Sequence, residues 1–331
     1  MFPSRGWMKL NRFLLIFFLA CGCSVKQKQD AAVLETPISK EKTAYFVSVP
    51  ITKLSSIETP CVEVDIQGKT FSMELDLGFQ GDLTLTKQWI DLISSKSFIR
   101  EKPMYGIRGK QYPTNLYRIP NMQIGKMTFF EPVLQESSSE FTKESTFVQN
   151  GGEPSPREPG RLGWKLFYNV NLAIDIKNSR IAFCDSLENL KRHGYAIESL
   201  TKTPLFLERG LVEFDAETSE GTLRCILDTG ATWNILNADI KDEIPIEQVM
   251  WKSSSILEYL IFKIDSKEFG PVAFHRMPIK LPIHIKAILG MEFFEDHFVF
   301  LDFTEKFVYF AKNHWMTTNV PQTATTAQNS Q

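Results

Sequence analysis

The sequence predicts a mainly β protein that consists of two related lobes and contains a few short helices. Three observations predict this fold class. One segment of the chain recurs later without a gap, a second segment upstream of it recurs in the same order, and β-branched and aromatic residues alternate with polar ones in both copies. With 331 residues, of which 43% are hydrophobic, the chain is long enough for each lobe to bury its own core.

The downstream repeat has a constant spacing. Every residue of the second copy lies 127 positions after its counterpart in the first copy. A repeat at one fixed offset predicts that one structural unit is used twice in the fold. The matched pairs are Leu162 and Leu289, Gly163 and Gly290, Phe167 and Phe294, Asp175 and Asp302, and Phe183 and Phe310.

The upstream repeat joins a strand-like segment to an aspartate that is followed by glycine. Val62–Asp65 precedes Leu75–Gly78 in the first copy, and Val212–Asp215 precedes Leu227–Gly230 in the second. The aspartates of the two copies lie 152 residues apart, so the first copy carries about 25 additional residues before its Leu-Gly pair. The polar stretch 136–161 has the composition of a loop and is the predicted place of this insertion.

The repeats and the composition divide the chain into six predicted parts. These are a signal peptide (1–22), a polar tether (23–43), an N-terminal lobe with a degenerate Asp-Leu-Gly loop (44–185), an inter-lobe linker (186–204), a C-terminal lobe with an Asp-Thr-Gly-Ala-Thr loop (205–312) and a disordered tail (313–331). Short helices are predicted over Thr86–Ile93, Asn237–Glu243 and, between the lobes, Asp185–Ile197.

The N-terminal residues have the pattern of an export signal. Arg5, Lys9 and Arg12 precede an unbroken apolar stretch, Phe13–Cys21, with no acidic residue before it. The stretch is too short to span a bilayer as a helix.

The apolar stretch ends in Leu19–Ser24, which resembles a bacterial lipobox. In a lipobox small residues precede a cysteine that receives lipid, so the resemblance implies a palmitate-bearing anchor on Cys23, with Cys21 as the alternative site. It implies attachment to a membrane of the cell envelope, facing the periplasm or the exterior, and Ser24 resembles the residue found in lipoproteins sorted to the outer membrane. An ordinary signal peptide with incidental cysteines is the alternative interpretation.

Charge and residue spacing argue against two other classes of function. The formal net charge is −2 and the basic residues are scattered, so the chain lacks the basic stripe that nucleic acid requires. Cys61, Cys184 and Cys225 form no paired framework and lie in apolar segments, which predicts buried small residues. The histidines occur singly along the chain, so no metal or other cofactor is predicted.

Residues Asp228–Thr232, preceded by Ile226 and Leu227, resemble the signature of pepsin-like and retropepsin-like aspartic proteases. Downstream, Ile288–Gly290 resembles the apolar-apolar-glycine strand that passes behind the catalytic loop in this family. The resemblance covers about residues 205–312 and implies a bilobal acid-protease fold with two related β-barrel-like lobes. In the first copy, Arg161–Gly163 and Asn171–Phe183 also resemble the family's closing segment.

The resemblance implies an aspartic endopeptidase with Asp76 and Asp228 as its catalytic pair. Two carboxylates held together cannot both ionise cheaply, so they share a proton; one acts as a base towards water and the other donates to the peptide carbonyl. Gly78 and Gly230 allow the backbone to turn tightly beside the carboxylates. Thr229 is expected to form a hydrogen bond across to the other lobe.

Leu77 departs from the family pattern, which has Thr or Ser at this position. A leucine side chain cannot form a cross-lobe hydrogen bond, so we expect Thr229 to lose its buried partner at a cost of about 1–3 kcal/mol, and catalysis to be weakened. A second interpretation of this loop is that Asp76 is a surface turn residue.

A flap that closes over substrate is predicted at Met104–Gly109, with Tyr105 and Gly106 as its candidate residues, because glycines permit a tight hairpin turn. An ordinary loop is the alternative.

Three functions fit these residues. The first is a monomeric endopeptidase that acts on a peptide or protein substrate through Asp76 and Asp228. The second is a homodimeric retropepsin that uses Asp228 from each of two chains. The third is a lipoprotein that has this fold but binds peptides or envelope partners without cleaving them.

Overall fold

The computed structural model describes residues 44–54, 59–105, 111–137, 160–207, 210–237, 256–259, 261–277 and 281–313. The predicted signal peptide, the tether, most of the predicted insertion and the tail after residue 313 lie outside the described residues. Strands dominate the described ranges and the helices are short, which confirms the predicted mainly β fold class.

The first half of the chain supplies thirteen strands within the described ranges. They are β1 (Phe46–Pro50), β2 (Lys53–Leu54), β3 (Pro60–Ile66), β4 (Lys69–Asp76), β5 (Leu83–Thr86), β6 (Ser97–Tyr105), β7 (Gln111–Arg118), β8 (Asn121–Ile124), β9 (Met127–Phe130), β10 (Val133–Ser137), β11 (Gly160–Gly163), β12 (Asn171–Asp175) and β13 (Arg180–Cys184).

The second half supplies eleven further strands within the described ranges. They are β14 (Thr201–Pro204), β15 (Glu213–Thr218), β16 (Gly221–Leu227), β17 (Ile235–Asn237), β18 (Ile256–Tyr259), β19 (Phe262–Ile264), β20 (Lys267–Glu268), β21 (Val272–Met277), β22 (Ala287–Leu289), β23 (His297–Asp302) and β24 (Phe307–Lys312).

Each lobe is built on one sheet, and eight strands of the N-terminal sheet, from β7 to β9 along its strand order, have equivalents in the same order in the C-terminal sheet. The N-terminal sheet runs β6-β7-β10-β5-β11-β4-β3-β8-β9, with β2 beside β3, and the C-terminal sheet runs β18-β21-β17-β22-β16-β15-β19-β20. In both, the strand that leads to an aspartate lies between its hairpin partner and a parallel strand: β4 between β3 and β11, and β16 between β15 and β22. The sequence repeat is therefore a repeat of strand topology.

A third sheet of six strands joins the lobes, in the order β1-β13-β12-β23-β24-β14. Its centre is the antiparallel pair of β12 and β23, in which Leu172 faces Leu301 and Ile174 faces Val299. The end of the predicted linker, Thr201–Pro204, is strand β14 of this sheet and pairs with β24.

Repeated apolar residues fill the core of each lobe. Phe167 and Phe183 are fully buried and their rings stack 5.7 Å apart, and their counterparts Phe294 and Phe310 are also fully buried. Burial of a phenylalanine contributes about 1.5–3 kcal/mol, so these positions stabilise each lobe.

The three cysteines outside the N-terminal segment are buried free thiols, which confirms the prediction that Cys61, Cys184 and Cys225 are buried small residues. Burial raises the pKa of Cys184 to about 12, so this thiol is protonated at neutral pH.

The described helices are short: α1 (Lys87–Ile90), α2 (Leu187–Arg192), α3 (Met291–Asp296) and the 3-10 helices η1 (Trp164–Phe167) and η2 (Ile197–Ser199). No described helix is long and apolar enough to cross a membrane. Helix α1 lies within the predicted Thr86–Ile93. The predicted linking helix is shorter than expected, because α2 ends before Gly194, which has a left-handed φ of +91°. Of the predicted Asn237–Glu243 helix, Asn237 ends β17 and the rest lies outside the described residues.

Candidate active site

Asp76 and Asp228 lie at equivalent strand ends. Asp76 is the last residue of β4, and Asp228 directly follows β16. A parallel strand runs beside each of them. Gly163 of β11 is opposite Asp76, and on the other lobe the Asp228 N–H donates to the carbonyl of Leu289 in β22 at 3.0 Å. Asp76 is 2% exposed, so the interpretation that it is a surface turn residue is wrong.

The two carboxyl groups meet across the lobes, because each aspartate lies against the glycine of the loop that carries the other aspartate. Asp228 Oδ1 accepts from the Gly230 N–H at 2.8 Å and from the Gly78 N–H of the opposite lobe at 3.2 Å. Asp76 Oδ1 accepts from the Phe79 N–H at 3.0 Å. Backbone donors on both loops therefore stabilise negative charge on this pair.

Gly78 and Gly230 are required by the close approach of the two loops. A Cβ atom at Gly78 would lie 2.5 Å from Asp228 Oδ2, and a Cβ atom at Gly230 would lie 2.5 Å from Asp76 Oδ1. Each glycine thus leaves the space that the aspartate of the opposite lobe occupies.

The Thr229 hydroxyl joins the two loops. It donates to the Leu75 carbonyl at 2.7 Å and accepts from the Leu77 N–H at 3.1 Å. The expectation that Leu77 leaves Thr229 without a buried partner is wrong, because the partner groups belong to the backbone and are independent of the side chain at position 77. The Leu77 side chain is itself fully buried in the apolar core.

Burial raises the pKa of both carboxyl groups. Burial, followed by the charge of Asp76, raises the pKa of Asp228 well above its usual range. Burial also raises the pKa of Asp76, while the Arg161 guanidinium opposes this shift. The pair therefore retains a proton at pH values where an isolated aspartate has lost it.

Arg161 belongs to the site, although the sequence pattern did not identify it as a site residue. Its Nη1 atom lies 3.5 Å from Asp76 Oδ2, and its Nε atom lies 3.4 Å from Glu74 Oε2. The sequence assigned Arg161 only to a strand preceding a glycine. Its proximity to Asp76 follows from the register of β11 on β4, which the sequence pattern does not fix.

Asn234 supports the C-terminal loop and was also missed. Its Oδ1 accepts from the Gly290 N–H at 3.0 Å, and its Nδ2 donates to the Ala273 carbonyl at 3.2 Å. An asparagine six residues after the aspartate carries no signal in a single sequence, because its partners lie on β21 and beyond β22.

A cavity of about 440 Å³ opens on the C-terminal lobe. On β16, Arg224 and Ile226 point away from the core residues Leu223 and Cys225, and Asp228 follows with the same alternation. The cavity opens on the face of β16 that carries Thr222 and Arg224, and neither Asp76 nor Asp228 is among its lining residues. It is lined by Phe206, Glu213, Asp215, Thr222, Arg224, His284 and Lys286.

Strands β6 and β7 form the antiparallel hairpin on which the flap was predicted. The backbone of Tyr105, the last residue of β6, pairs with Gln111 of β7. Gly106 and the tip of the hairpin lie outside the described residues, as do the candidate lipidation sites Cys21 and Cys23. The flap and the lipid anchor therefore stay predictions. In the described ranges, no cluster of three or more His, Cys, Asp or Glu side chains is arranged to hold a metal ion.

No protein-family model and no curated protein sequence matches the chain. Solved structures do match it. The aspartic proteinase from Irpex lacteus aligns with a TM-score of 0.50 at 13% identity, over 84% of this chain and 100% of that chain. The basic 7S globulin from soybean aligns with a TM-score of 0.51 at 11% identity, over 81% of this chain and 94% of that chain.

These alignments, together with the duplicated lobes and the shared sheet, define the class: the chain has the bilobal pepsin-like fold, as the sequence predicted. At such low identity the likeness concerns the fold alone.

Proposed function

We propose that this chain is an aspartic endopeptidase in which Asp76 and Asp228 share one proton and activate water. The observation that carries the proposal is the pair of buried carboxyl groups, one from each lobe, that lie against each other's loops with backbone N–H donors on both loops. Such an arrangement suits general acid and base catalysis, because one carboxyl is held ionised and the other protonated.

In the proposed reaction the ionised carboxylate removes a proton from water while the water oxygen bonds to the peptide carbonyl carbon. The protonated carboxyl donates its proton to the carbonyl oxygen, which gives a gem-diol. The amide nitrogen then takes up the proton that came from water, and one hydroxyl of the gem-diol returns its proton to the carboxyl that had donated one. The C–N bond breaks, an amine and a carboxylic acid leave, and the pair again holds one proton. The substrate is an extended peptide or a protein segment in the groove between the lobes.

The test is cleavage of a diverse peptide pool, from acid to neutral pH, by the wild type and by the Asp76→Asn and Asp228→Asn variants. We expect each variant to lose at least about 100-fold in rate, since asparagine keeps the shape of the side chain but cannot transfer the proton. Asp91→Asn is the matched control, because Asp91 lies on the surface with its side chain 59% exposed.

A protein with the same fold that binds peptides without cleaving them is the second candidate. One observation favours it: Leu77, at the position equivalent to Thr229, supplies no hydroxyl to the opposite loop. The globulin with this fold also shows that the fold is not confined to proteins named as proteinases. A folded wild type that binds peptides from the pool and releases them uncut would favour this candidate over the peptidase.

A homodimeric arrangement is disfavoured, because Asp228 already accepts a hydrogen bond from Gly78 in the N-terminal lobe of the same chain. A second copy would have to displace the N-terminal lobe, including the Thr229 contacts to Leu75 and Leu77. We propose a monomer. A molar mass of two chains in solution, together with full activity of Asp76→Asn, would restore the dimer.

We propose that the enzyme is held on the cell envelope by lipid at Cys23. The proposal rests on the basic and apolar N-terminal pattern and its lipobox-like end. Cells that produce the chain are fed an alkyne-tagged palmitate, and label on the purified protein is measured. We expect Cys23→Ser to abolish the label and Cys21→Ser to retain it. The reverse result would move the anchor to Cys21, and a wild type that carries no label would favour an ordinary signal peptide.

A further inference from the structure

A buried ion pair lies directly against one member of the catalytic pair. Arg161 contacts Glu74 through Nε at 3.4 Å and Asp76 through Nη1 at 3.5 Å. The side chains of Arg161, Glu74 and Asp76 are 15%, 4% and 3% exposed. Charges that are this well buried are screened weakly by solvent, so their arrangement acts strongly on the neighbouring carboxyl group.

The duplicated lobe provides an internal comparison. Arg161 of β11 is opposite Glu74 of β4, and at the equivalent places Ile288 of β22 is opposite Ile226 of β16. Both isoleucines are fully buried. The same strand arrangement therefore accepts an apolar pair, and a buried ion pair is often no more stabilising than such a pair. The ion pair is not a requirement of the fold.

The charges around the dyad are distributed unequally. On the N-terminal side Glu74 and Asp76 share a face of β4, and Arg161 projects from β11 beside them, with Thr84 of β5 opposite Arg161 in register. On the C-terminal side the corresponding positions are Ile226 and Ile288.

Two further charged residues follow the glycines of β11 and β22, and both interact elsewhere. Lys165 acts on Asp82, and Glu292 contacts His275 at 3.4 Å. The guanidinium beside Asp76 thus has no charged counterpart at the equivalent position beside Asp228.

We propose that Arg161 is a positioning residue that keeps Asp76 ionised and so places the shared proton on Asp228. The inference rests on the proposed peptidase function and assigns its roles: Asp76 is the base that takes the proton from water, and Asp228 is the acid that donates to the peptide carbonyl. Glu74 orients Arg161 by binding its Nε side, which leaves Nη1 directed at Asp76.

The direct test measures where the proton resides. The carboxyl carbons of Asp76 and Asp228 are followed by NMR in the full chain labelled with ¹³C-aspartate, and the signals are assigned with Asp76→Asn and Asp228→Asn. At pH values where the pair holds one proton, we expect the Asp76 carbon near its ionised shift and the Asp228 carbon near its protonated shift. The expected proton share is about ten to one or greater in favour of Asp228, which corresponds to a difference of about one pKa unit.

Two variants remove the asymmetry. In Arg161→Gln we expect the proton to be shared more equally and the pKa of Asp76 to rise by about one unit or more, since a cation favours the ionised form of a nearby carboxylate. The double variant Glu74→Ile with Arg161→Ile copies the C-terminal pair and avoids leaving Glu74 buried without its cation. If near-UV circular dichroism shows that Arg161→Gln does not fold, the titration is measured on the double variant instead.

Two control variants test whether the effect depends on a positive charge at position 161 or only on the net charge of the protein. Arg161→Lys keeps a cation and is expected to retain most of the asymmetry. Arg192→Gln removes an exposed cation on α2, where the side chain is 65% exposed, and is expected to leave the titration unchanged.

Equal sharing in the wild type, or undiminished asymmetry in the folded double variant, would overturn the inference. The titration does not depend on cleavage, so the two proposals fail separately. A protein that cleaves peptides but shares the proton equally refutes the role of Arg161 alone. A protein that shows the asymmetry without cleaving any peptide supports the role of Arg161 in the charge distribution and refutes the peptidase.

Discussion

At the scale of single residues, the Thr229 hydroxyl connects the lobes through two backbone groups. It bridges the Leu75 carbonyl and the Leu77 N–H, which lie on either side of Asp76 in the chain. One hydroxyl of the C-terminal loop therefore fixes the position of the N-terminal aspartate. This contact accounts for the tolerance of leucine at position 77, because the loop retains its partner through the backbone.

We expect Thr229→Val to destabilise the protein by about 1–3 kcal/mol, because it removes the hydroxyl to which two buried backbone groups are hydrogen-bonded. Peptide cleavage should fall as well, since Asp76 loses its fixed position. The measurement is the free energy of unfolding from denaturant titration, with cleavage rate beside it. Thr229→Ser keeps the hydroxyl and should recover both properties.

Thr222→Val provides a control for the loss of a hydroxyl on β16. Thr222 lies at an exposed position of the same strand, so its replacement should change stability by no more than about 0.5 kcal/mol. An effect of Thr229→Val equally small would contradict the role of its hydroxyl in joining the lobes.

At the scale of secondary structure elements, the junction of α3 and β23 contains a buried histidine. His297 begins β23, is 5% exposed and stacks on Phe293 with ring centroids 4.1 Å apart. Its Nδ1 lies 2.8 Å from the Phe293 carbonyl, and since a carbonyl can only accept, Nδ1 carries the hydrogen. The ring therefore holds the end of α3 against the start of β23 in its neutral form.

Burial lowers the pKa of His297 from 6.5 to about 4. Between these values the unfolded chain binds a proton that the folded protein rejects, so the stability from His297 is complete above about pH 6.5 and declines as pH falls towards 4. The full effect is about 3 kcal/mol, taking 1.36 kcal/mol for each pKa unit.

The His297 contribution is measured as the difference in Tm between the wild type and His297→Asn across this pH range. Asparagine does not titrate, and its side-chain nitrogen reproduces the donor position of Nδ1. We expect the advantage of the wild type to shrink as pH is lowered from 7 to 4. A difference that stays constant with pH would show that His297 does not titrate differently in the folded protein.

At the scale of the whole molecule, the six-stranded sheet explains why the two aspartates lie close together. Three of its strands come from each half of the chain, and β12 pairs with β23 at its centre. This pairing fixes the two lobes relative to each other and so brings two separate strand ends, at Asp76 and at Leu227, to one place. Loss of this sheet would separate the carboxyl groups even if each lobe kept its own fold.

The duplication, the mainly β class and the two aspartates with their glycines are predictable from the amino-acid sequence alone. These features are local or periodic: a glycine beside an aspartate and an alternation of apolar residues are visible without knowing which strands are neighbours. The constant offset between Leu162 and Leu289, and between Phe183 and Phe310, extended the prediction to the core of each lobe.

The side-chain contacts around the two aspartates depend on the tertiary structure and could not be predicted from the sequence. Arg161 acts on a carboxylate 85 residues before it, and Thr229 accepts from a backbone N–H 152 residues before it. Such contacts depend on the register of β11 on β4 and on the docking of one lobe against the other. These are set by the packing of the whole core, and a shift of one residue in register would turn Arg161 to the opposite face of its strand.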